Sequence, residues 1–579
     1  MSLAAIAALS FIALNAIFAL RRPSGSLAAH RSPSEFILAG RQLGGFTLLA
    51  TLAASNLSAF TIFGVSGTAY RVGWAFFPAM GFGTGLMALS FLTIGLPLRR
   101  LAATGQWTTP AHLVENRTGS RLLGKIFSAL SLLYTLPYLA VQAGAAGGLL
   151  ANIGGIPRAL GAGLVIGIIA LYVFRGGMRS VARTDILQFL VLMGLGISAF
   201  MIIAIQAART GAWQALAADV SVNGPNARSG LDGSQTTLVL AGYCVLWSLA
   251  NPMFPHFIQR FYAANSDRSL LSSMAAYPFV SLLIFLPMTA IGVLGARLIP
   301  GLTGSAADGI FSLLANQVAG PIWGPVFALA ALAALMSTLD SQLLSCASIV
   351  VEDFLPGKRH SANLVGLVGL ALAAVAWLVS LKPPASILGF LTGTAFPGYA
   401  SLAPIALAAI YLPRFYRTAA ATQPAAATGV PATLSPVLAW SCATALLVGT
   451  GLVLIQAFGI KPSIPAAIFN AAIQLTILGG FWLAWRLHQV AASRLATRQS
   501  SKLALATLPD AALPSRRRLL VAGLSSGLTL VAALDWWHAG QAPIIVWGLP
   551  TWLWYQLGVV VLLGIIFVWL ARQTPARPK

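Results

Sequence analysis

Acidic side chains are nearly missing from this chain: 12 Asp and Glu stand among 579 residues, against 35 Lys and Arg. That scarcity argues against paired carboxylates for acid–base catalysis and against carboxylate clusters around a divalent metal. Cysteine is scarcer still. Cys244, Cys346 and Cys442 each lie alone in an apolar stretch, which argues against disulfides and against a thiolate metal site. No phosphate-cradling loop of the GxxxxGK[ST] type is present, so a transport ATPase is disfavoured. Charged residues of every kind make up only 8% of the chain, and few segments between apolar runs exceed 30 residues, which leaves no room for a sizeable soluble domain.

What the chain has in excess is apolar sequence, 58% of all residues. Its runs repeatedly exceed the roughly 20 residues needed to cross hydrocarbon. The expected fold class is therefore an all-α integral membrane protein. Fifteen spans are predicted, near residues 3–20, 44–69, 75–98, 126–151, 159–175, 185–206, 236–258, 270–297, 322–350, 362–381, 386–411, 434–458, 463–485, 519–537 and 551–571. They are called spans 1 to 15. Span 1 resembles a signal-peptide core, but it has no basic region before it and no evident cleavage site after it, so it is read as a retained helix.

The loops alternate in charge. One alternate set carries 28 Lys and Arg and the other 7. The positive-inside rule puts the richer set, which includes Arg99, Arg100, Arg260 and Arg516–Arg518, in the cytoplasm. The N-terminus is then outside, the C-terminus inside, and the location the inner (cell) membrane. The basic excess is explained by topology and lipid headgroups, with no nucleic-acid partner.

Polar groups inside the spans carry the functional signal. In span 9, Ser337, Ser341, Ser345 and Ser348 follow one helical stripe, with Asp340 beside it. An acid at mid-depth costs roughly 2.5–3.5 kcal/mol on insertion scales, so such a stripe suits a path for something polar or ionic. Span 7 contains Pro252 and Pro255, which remove backbone donors and break the helix. Span 2 has its own weak point at Ala53–Ser58. The two breaks stand five spans apart, as expected if spans 2–6 and 7–11 are two inverted five-helix repeats. The core would then be ten helices, with one helix before it and about four after it. Domain boundaries follow: 1–33, 34–412 for the core, 413–490 for two appended helices, and 491–579 for a basic linker and a two-helix unit. Two segments read as linkers at these seams, the low-complexity Ala419–Leu434 and the basic Ala491–Arg518.

Four ordered segments resemble the sodium/solute symporter family, which has a leucine-transporter-type inverted-repeat fold. They are Gly40–Phe76, Phe174–Gln188 (FRGGMRSVARTDILQ), Phe254–Leu270 (FPHFIQRFYAANSDRSL) and Ala333–Phe354 (AALMSTLDSQLLSCASIVVEDF). The resemblance implies sodium-coupled symport by alternating access and no enzymatic activity. Na+ is the expected coupling ion, with no other metal and no organic cofactor. It implies a sodium site built from the carbonyls of Ala54, Leu57 and Ala334 and the hydroxyls of Ser337 and Thr338. Oxygen ligands suit a small hard cation. The competing reading of Ser337 and Thr338 is that they bond back to their own helix.

Two acids have open roles. Asp340 is an ion-coupling residue or a structural acid. Asp185, at the predicted start of span 6, is an ion-coupling residue or an acid that complements the helix dipole beside Arg175–Arg183. Solute would sit between the two breaks, lined by Ser55, Asn56, Ser58 and Phe60 of span 2 and by Trp247, Ser248 and Asn251 of span 7. Tyr138 and Gln142 of span 4 join that set. No Lys or Arg is expected at mid-depth. His256 is read as a cap on the broken helix.

The resemblance favours a small polar or anionic solute, an organic acid or a pantothenate-like molecule. Proline-carrying members have an acid where Asn56 stands here, which argues against proline. The alternatives are a proton-coupled symporter and a membrane solute sensor. Trp547–Gln556 resembles small two-helix membrane proteins that accompany some symporters, so spans 14 and 15 are read as a fused accessory unit.

Overall fold

The computed structural model describes residues 2–20, 32–105, 107–231, 233–318, 320, 322–355, 361–382, 391–411, 451 and 514–574. Spans 12 and 13, the linker at Ala419–Leu434 and most of the linker before span 14 lie outside these residues. An apolar chain in hydrocarbon must satisfy its own backbone donors and acceptors, and helices do this within one segment. The described chain is accordingly helical almost throughout. The only described strands are Ile545–Val546 and Leu549–Pro550, a short antiparallel pair.

Among the described residues nine helices are long and apolar enough to cross a bilayer, or ten with the bent span 7. Thirteen predicted spans fall there. The difference arises because helical backbone runs on through two corners and because span 1 is a shorter apolar helix, Ala4–Leu20. Spans 5 and 6 form one run, Arg158–Arg209, of 52 residues. Straight, it would be about 78 Å long, over twice the hydrocarbon thickness. It turns at Gly177 (φ 54°, ψ −143°). A Cβ there would also meet the Phe36 carbonyl oxygen at 2.3 Å. Span 2 passes into span 3 in the same way at Gly73 (φ 77°, ψ −157°), where a Cβ would come within 2.3 Å of the Pro225 carbonyl oxygen.

Both predicted breaks exist. Span 2 is helical over Gly45–Asn56, loses helical backbone at Leu57 (φ −83°, ψ 90°) and resumes at Phe60–Gly64 and Val65–Val72. Span 7 runs Thr237–Ala250, tightens at Asn251–Met253 and restarts as Pro255–Ala263 after a 62° bend. Pro252 and Pro255 have no N–H to give, and Phe254 takes an extended ψ of 128° between them. The start of span 2 and the end of span 7 are tied together by backbone: Leu43 N–H donates to the Ala263 carbonyl at 3.0 Å, and Asn265 N–H to the Leu43 carbonyl at 2.7 Å.

Span 9, Trp323–Ile349, occupies the centre. It packs against the 158–209 run, span 4 (Arg121–Gly154) and span 2. Every residue from Ala330 to Ile349 is buried. The polar stripe therefore faces protein, never lipid.

The last two helices, Arg516–Leu534 and Thr551–Gln573, dock on spans 3 and 8. Their latch is polar and buried. Trp552 Nε1 donates to the Asn226 carbonyl at 2.7 Å. Arg228 donates to the Leu534 carbonyl at 3.0 Å and faces the Asp535 carboxylate at 3.6 Å. Counted from sequence as a loop charge, Arg228 is in fact buried, because it is the partner that Asp535 needs. Trp547 and Trp554 remain exposed, whereas Trp552 of the same aromatic segment is inside.

Candidate functional site

Short polar side chains at Ser55–Ser58 compete with the helix for backbone hydrogen bonds. At the span 2 break the freed groups are met by side chains. Ser58 Oγ accepts from Phe60 N–H at 3.2 Å, and Gln142 Oε1 accepts from Ala59 N–H at 3.4 Å. Tyr138 O–H donates to Ser58 Oγ at 3.0 Å. Span 4 thus supports the break through the two residues, Tyr138 and Gln142, predicted to line it.

Across from this break lies span 9. Ser337 Oγ stands 2.9 Å from the Ala54 carbonyl oxygen and 3.1 Å from that of Ala334. Thr338 Oγ1–H donates back to the same Ala334 oxygen at 3.1 Å, the within-helix bond of the competing reading. Four of the five predicted sodium ligands are therefore in contact. The fifth, Leu57, is the residue at which span 2 leaves helical geometry, so its carbonyl is released from the regular ladder. All five residues are buried. Oxygens spaced at about 3 Å with no carboxylate among them are a donor set for a small monovalent cation. On loading, the two hydroxyls would turn their protons away and present lone pairs.

One turn along, the stripe meets a buried ionic network. Arg260, fully buried, donates to Asp185 Oδ2 at 2.9 Å, to Thr51 Oγ1 at 2.7 Å, to Ser341 Oγ at 2.5 Å and to the His256 carbonyl at 2.9 Å. Thr51 also donates to Asp185. Three expectations are corrected here. An arginine does lie inside the protein, because the bend of span 7 carries Arg260 inward to a buried acid. Asp185 sits eight residues past the Gly177 turn, inside a continuous helix, and its partner is Arg260; Arg179 pairs with Glu35 instead. His256 does not cap through its ring: both ring nitrogens lack partners among the described residues, and the ring stacks on Phe254 with centroids 5.2 Å apart.

Asp340 has hydroxyl partners. Tyr172 O–H donates at 2.7 Å, Thr184 Oγ1–H at 3.1 Å and Ser341 Oγ–H at 3.2 Å. Ser55, placed by sequence in the solute lining, belongs to this network: its Oγ is 2.9 Å from Ser341 Oγ. Asn56 is likewise turned aside, donating to Tyr277 O–H of span 8 at 2.8 Å. The lower stripe is structural, since Ser345 and Ser348 bond back to the Gln342 and Leu344 carbonyls at 2.9 and 2.7 Å.

The remaining predicted lining residues converge on an aromatic cluster. Phe60 and Trp247 have ring centroids 6.1 Å apart, and both pack on Phe396 of span 11, at 6.5 and 4.9 Å. Tyr138 and Phe254 reach the same ring at 6.2 and 5.6 Å. Trp247 Nε1 donates to the Ala79 carbonyl at 3.0 Å, which fixes its plane. Gln142 Nε2, Ser248 Oγ and Asn251 Oδ1 are left without partners among the described residues. Sequence reasoning missed Phe396, Arg260, Thr51, Tyr172 and Tyr277. Each meets its partner from a distant part of the chain, Thr51 and Arg260 from inside quoted motifs, and none has a spacing signal of its own.

Broken helices at the centre of a polytopic helical fold, with freed carbonyls opposite hydroxyls, define a secondary transporter. Residues 36–423 match the family described as "Sodium:solute symporter family". The chain belongs to the sodium:solute symporter family. The sodium/proline symporter of Staphylococcus aureus (strain JH9) is 27% identical over 407 residues, covering 65% of this chain and 76% of that relative. A solved Na+-coupled sialic acid symporter, in a substrate-bound outward-open state, shares the fold at a TM-score of 0.55 with 17% identity, over 78% of this chain and 96% of that one. The protein is a multi-pass membrane transporter of a family of sodium-coupled symporters, and not an enzyme.

Proposed function

We propose that this chain moves a small polar or anionic solute, an organic acid or a pantothenate-like molecule being favoured, together with Na+ by alternating access. Na+ is held by Ala54, Leu57, Ala334, Ser337 and Thr338. The observation that carries this reading is Ser337 Oγ seated between the carbonyls of Ala54 and Ala334, where span 2 loses its helix. A cation there joins two separate spans, so its binding energy depends on their relative position. That dependence is what ion coupling requires.

The solute lies between the breaks of spans 2 and 7, against Phe60, Trp247 and Phe396. Gln142, Ser248 and Asn251 supply the polar contacts. Leaving a buried polar group unsatisfied costs about 1–3 kcal/mol, so their unpartnered atoms favour a solute that carries hydrogen-bonding groups. Spans 2–11 form two inverted five-helix repeats, with the N-terminus outside and the C-terminus in the cytoplasm of a cell with this protein in its inner membrane.

The test is uptake into proteoliposomes of a labelled panel: short organic acids, pantothenate, proline and sialic acid, each with and without a sodium gradient. The expected result is sodium-driven uptake of an organic acid or pantothenate, lost in Ser337→Ala/Thr338→Ala. Proline transport alone would overturn the solute assignment. Asp340, whose described partners are all neutral hydroxyls, favours a second reading in which a proton is the coupling ion. Uptake that follows a proton gradient, ignores sodium and fails in Asp340→Asn would establish that reading instead.

A further inference from the structure

Two grooves flank one end of the final helix, Thr551–Gln573. The first, about 420 Å³, lies between that helix and Arg516–Leu534 and is lined by Arg517, Arg518, Trp569, Gln573 and Thr574. The second, about 510 Å³, opens toward span 8 and is lined by Arg268, Ser272, Arg572 and Thr574. Thr574 is the edge they share. Among the described residues none of Arg268, Arg517, Arg518 and Arg572 has a carboxylate partner. Asp267, the acid next to Arg268 in sequence, is committed to Arg99 and Arg100.

The placement of these charges is locally unfavourable. Arg516–Arg518 form the first turn of their helix, where the macrodipole disfavours cations. Topology asks only for positive charge near the membrane; it does not ask for four arginines around two grooves. The surface above them is apolar: Leu520 and Leu524 on one helix and Ile565 and Trp569 on the other are 48–62% exposed. A ligand that fits must have an anionic head and a hydrocarbon body.

We propose that these grooves bind an anionic phospholipid. Its phosphate is held by the arginine forks, which match phosphate geometry with two parallel donors. Its acyl chains lie along the exposed leucines and Trp569. A phospholipid carrying two phosphates fits best, one phosphate in each groove with Thr574 between them. Because the lipid then touches both span 8 and the terminal pair, it cements the two-helix unit to the transport core. This inference is independent of which solute is carried and of the coupling ion.

The test uses the full chain, delipidated in detergent and titrated with tetraoleoyl cardiolipin, dioleoylphosphatidylglycerol, dioleoylphosphatidylcholine or inorganic phosphate, with bound species counted by native mass spectrometry. Cardiolipin is expected to bind tightest and phosphatidylcholine weakest. At about fivefold per basic residue, Arg517→Gln/Arg518→Gln and Arg268→Gln/Arg572→Gln should each weaken cardiolipin binding about 25-fold. The corresponding Lys pairs should keep most of it. All four side chains are at the surface, so the variants should elute as the parent does. Unchanged affinity in the fourfold Gln variant, or equal binding of phosphatidylcholine, would overturn the proposal. Displacement of cardiolipin by millimolar inorganic phosphate would replace it with a free-phosphate site.

Discussion

Ser337 and Ser345 stand on the same stripe of the same helix, yet only one reaches another span. Ser337 contacts the Ala54 carbonyl across the helix interface, whereas Ser345 returns to Gln342 in its own helix. Ser337→Ala should therefore raise the sodium concentration for half-maximal uptake by about tenfold or more, the worth of one contact to a charged group. Ser345→Ala should leave it within about twofold; sodium titration of uptake compares the two. Arg260 and Asp185 obey a different rule. Removing one member of a buried ion pair leaves the other charge stranded, at about 3–5 kcal/mol. Arg260→Gln should lower the melting temperature of the purified protein sharply. Arg260→Gln/Asp185→Asn should recover part of the loss, and thermal unfolding of the parent, Arg260→Gln, Asp185→Asn and the double variant gives the coupling.

At the scale of elements, interruption does more than regularity. Spans 2 and 7 are useful where they fail to be helices, and both failures trace to local chemistry: Ser55–Ser58 in one and the two prolines in the other. The terminal pair shows the opposite case, two regular helices held in position by a small buried polar latch. Asp535 holds His538 and faces Arg228, which also reaches the end of the helix Arg516–Leu534. Asp535→Asn should destabilise the docking of that pair by about 3 kcal/mol through the uncompensated guanidinium. Cross-linking by a short bis-maleimide between cysteines placed at Phe279 and Gly564, where the ring tip meets the glycine, should then slow relative to the same pair in the parent chain.

For the molecule as a whole, charge asymmetry sets the orientation expected of it. Cysteines placed at Arg121 and Arg175 should react with an impermeant maleimide only from the cytoplasmic side, and one at Arg209 only from outside. The reverse pattern would invert the topology. Hydropathy made most of the described spans legible, because a bilayer imposes one length and one polarity on every crossing. Span 9 and both breaks were legible for the same reason: polar residues and prolines are expensive there and stand out. Asn56 and Ser55 were misplaced in the solute lining because a weak point in sequence does not show which way each side chain turns. Arg260 was misplaced because a loop charge and a charge carried inward by a bent helix look alike in a linear count.

The chain's own order of residues determined that it crosses a membrane many times, where its helices break, and which hydroxyls stand in its central span. These are consequences of transfer free energy and backbone donors, and both act residue by residue. Only the tertiary structure decided which oxygens meet. Ala54 and Ser337 are 283 positions apart, and Asp185 and Arg260 are 75 apart. No local preference encodes such distances. They close because burying a polar group requires a partner, and the packing of spans 2, 6, 7 and 9 around one centre supplies it.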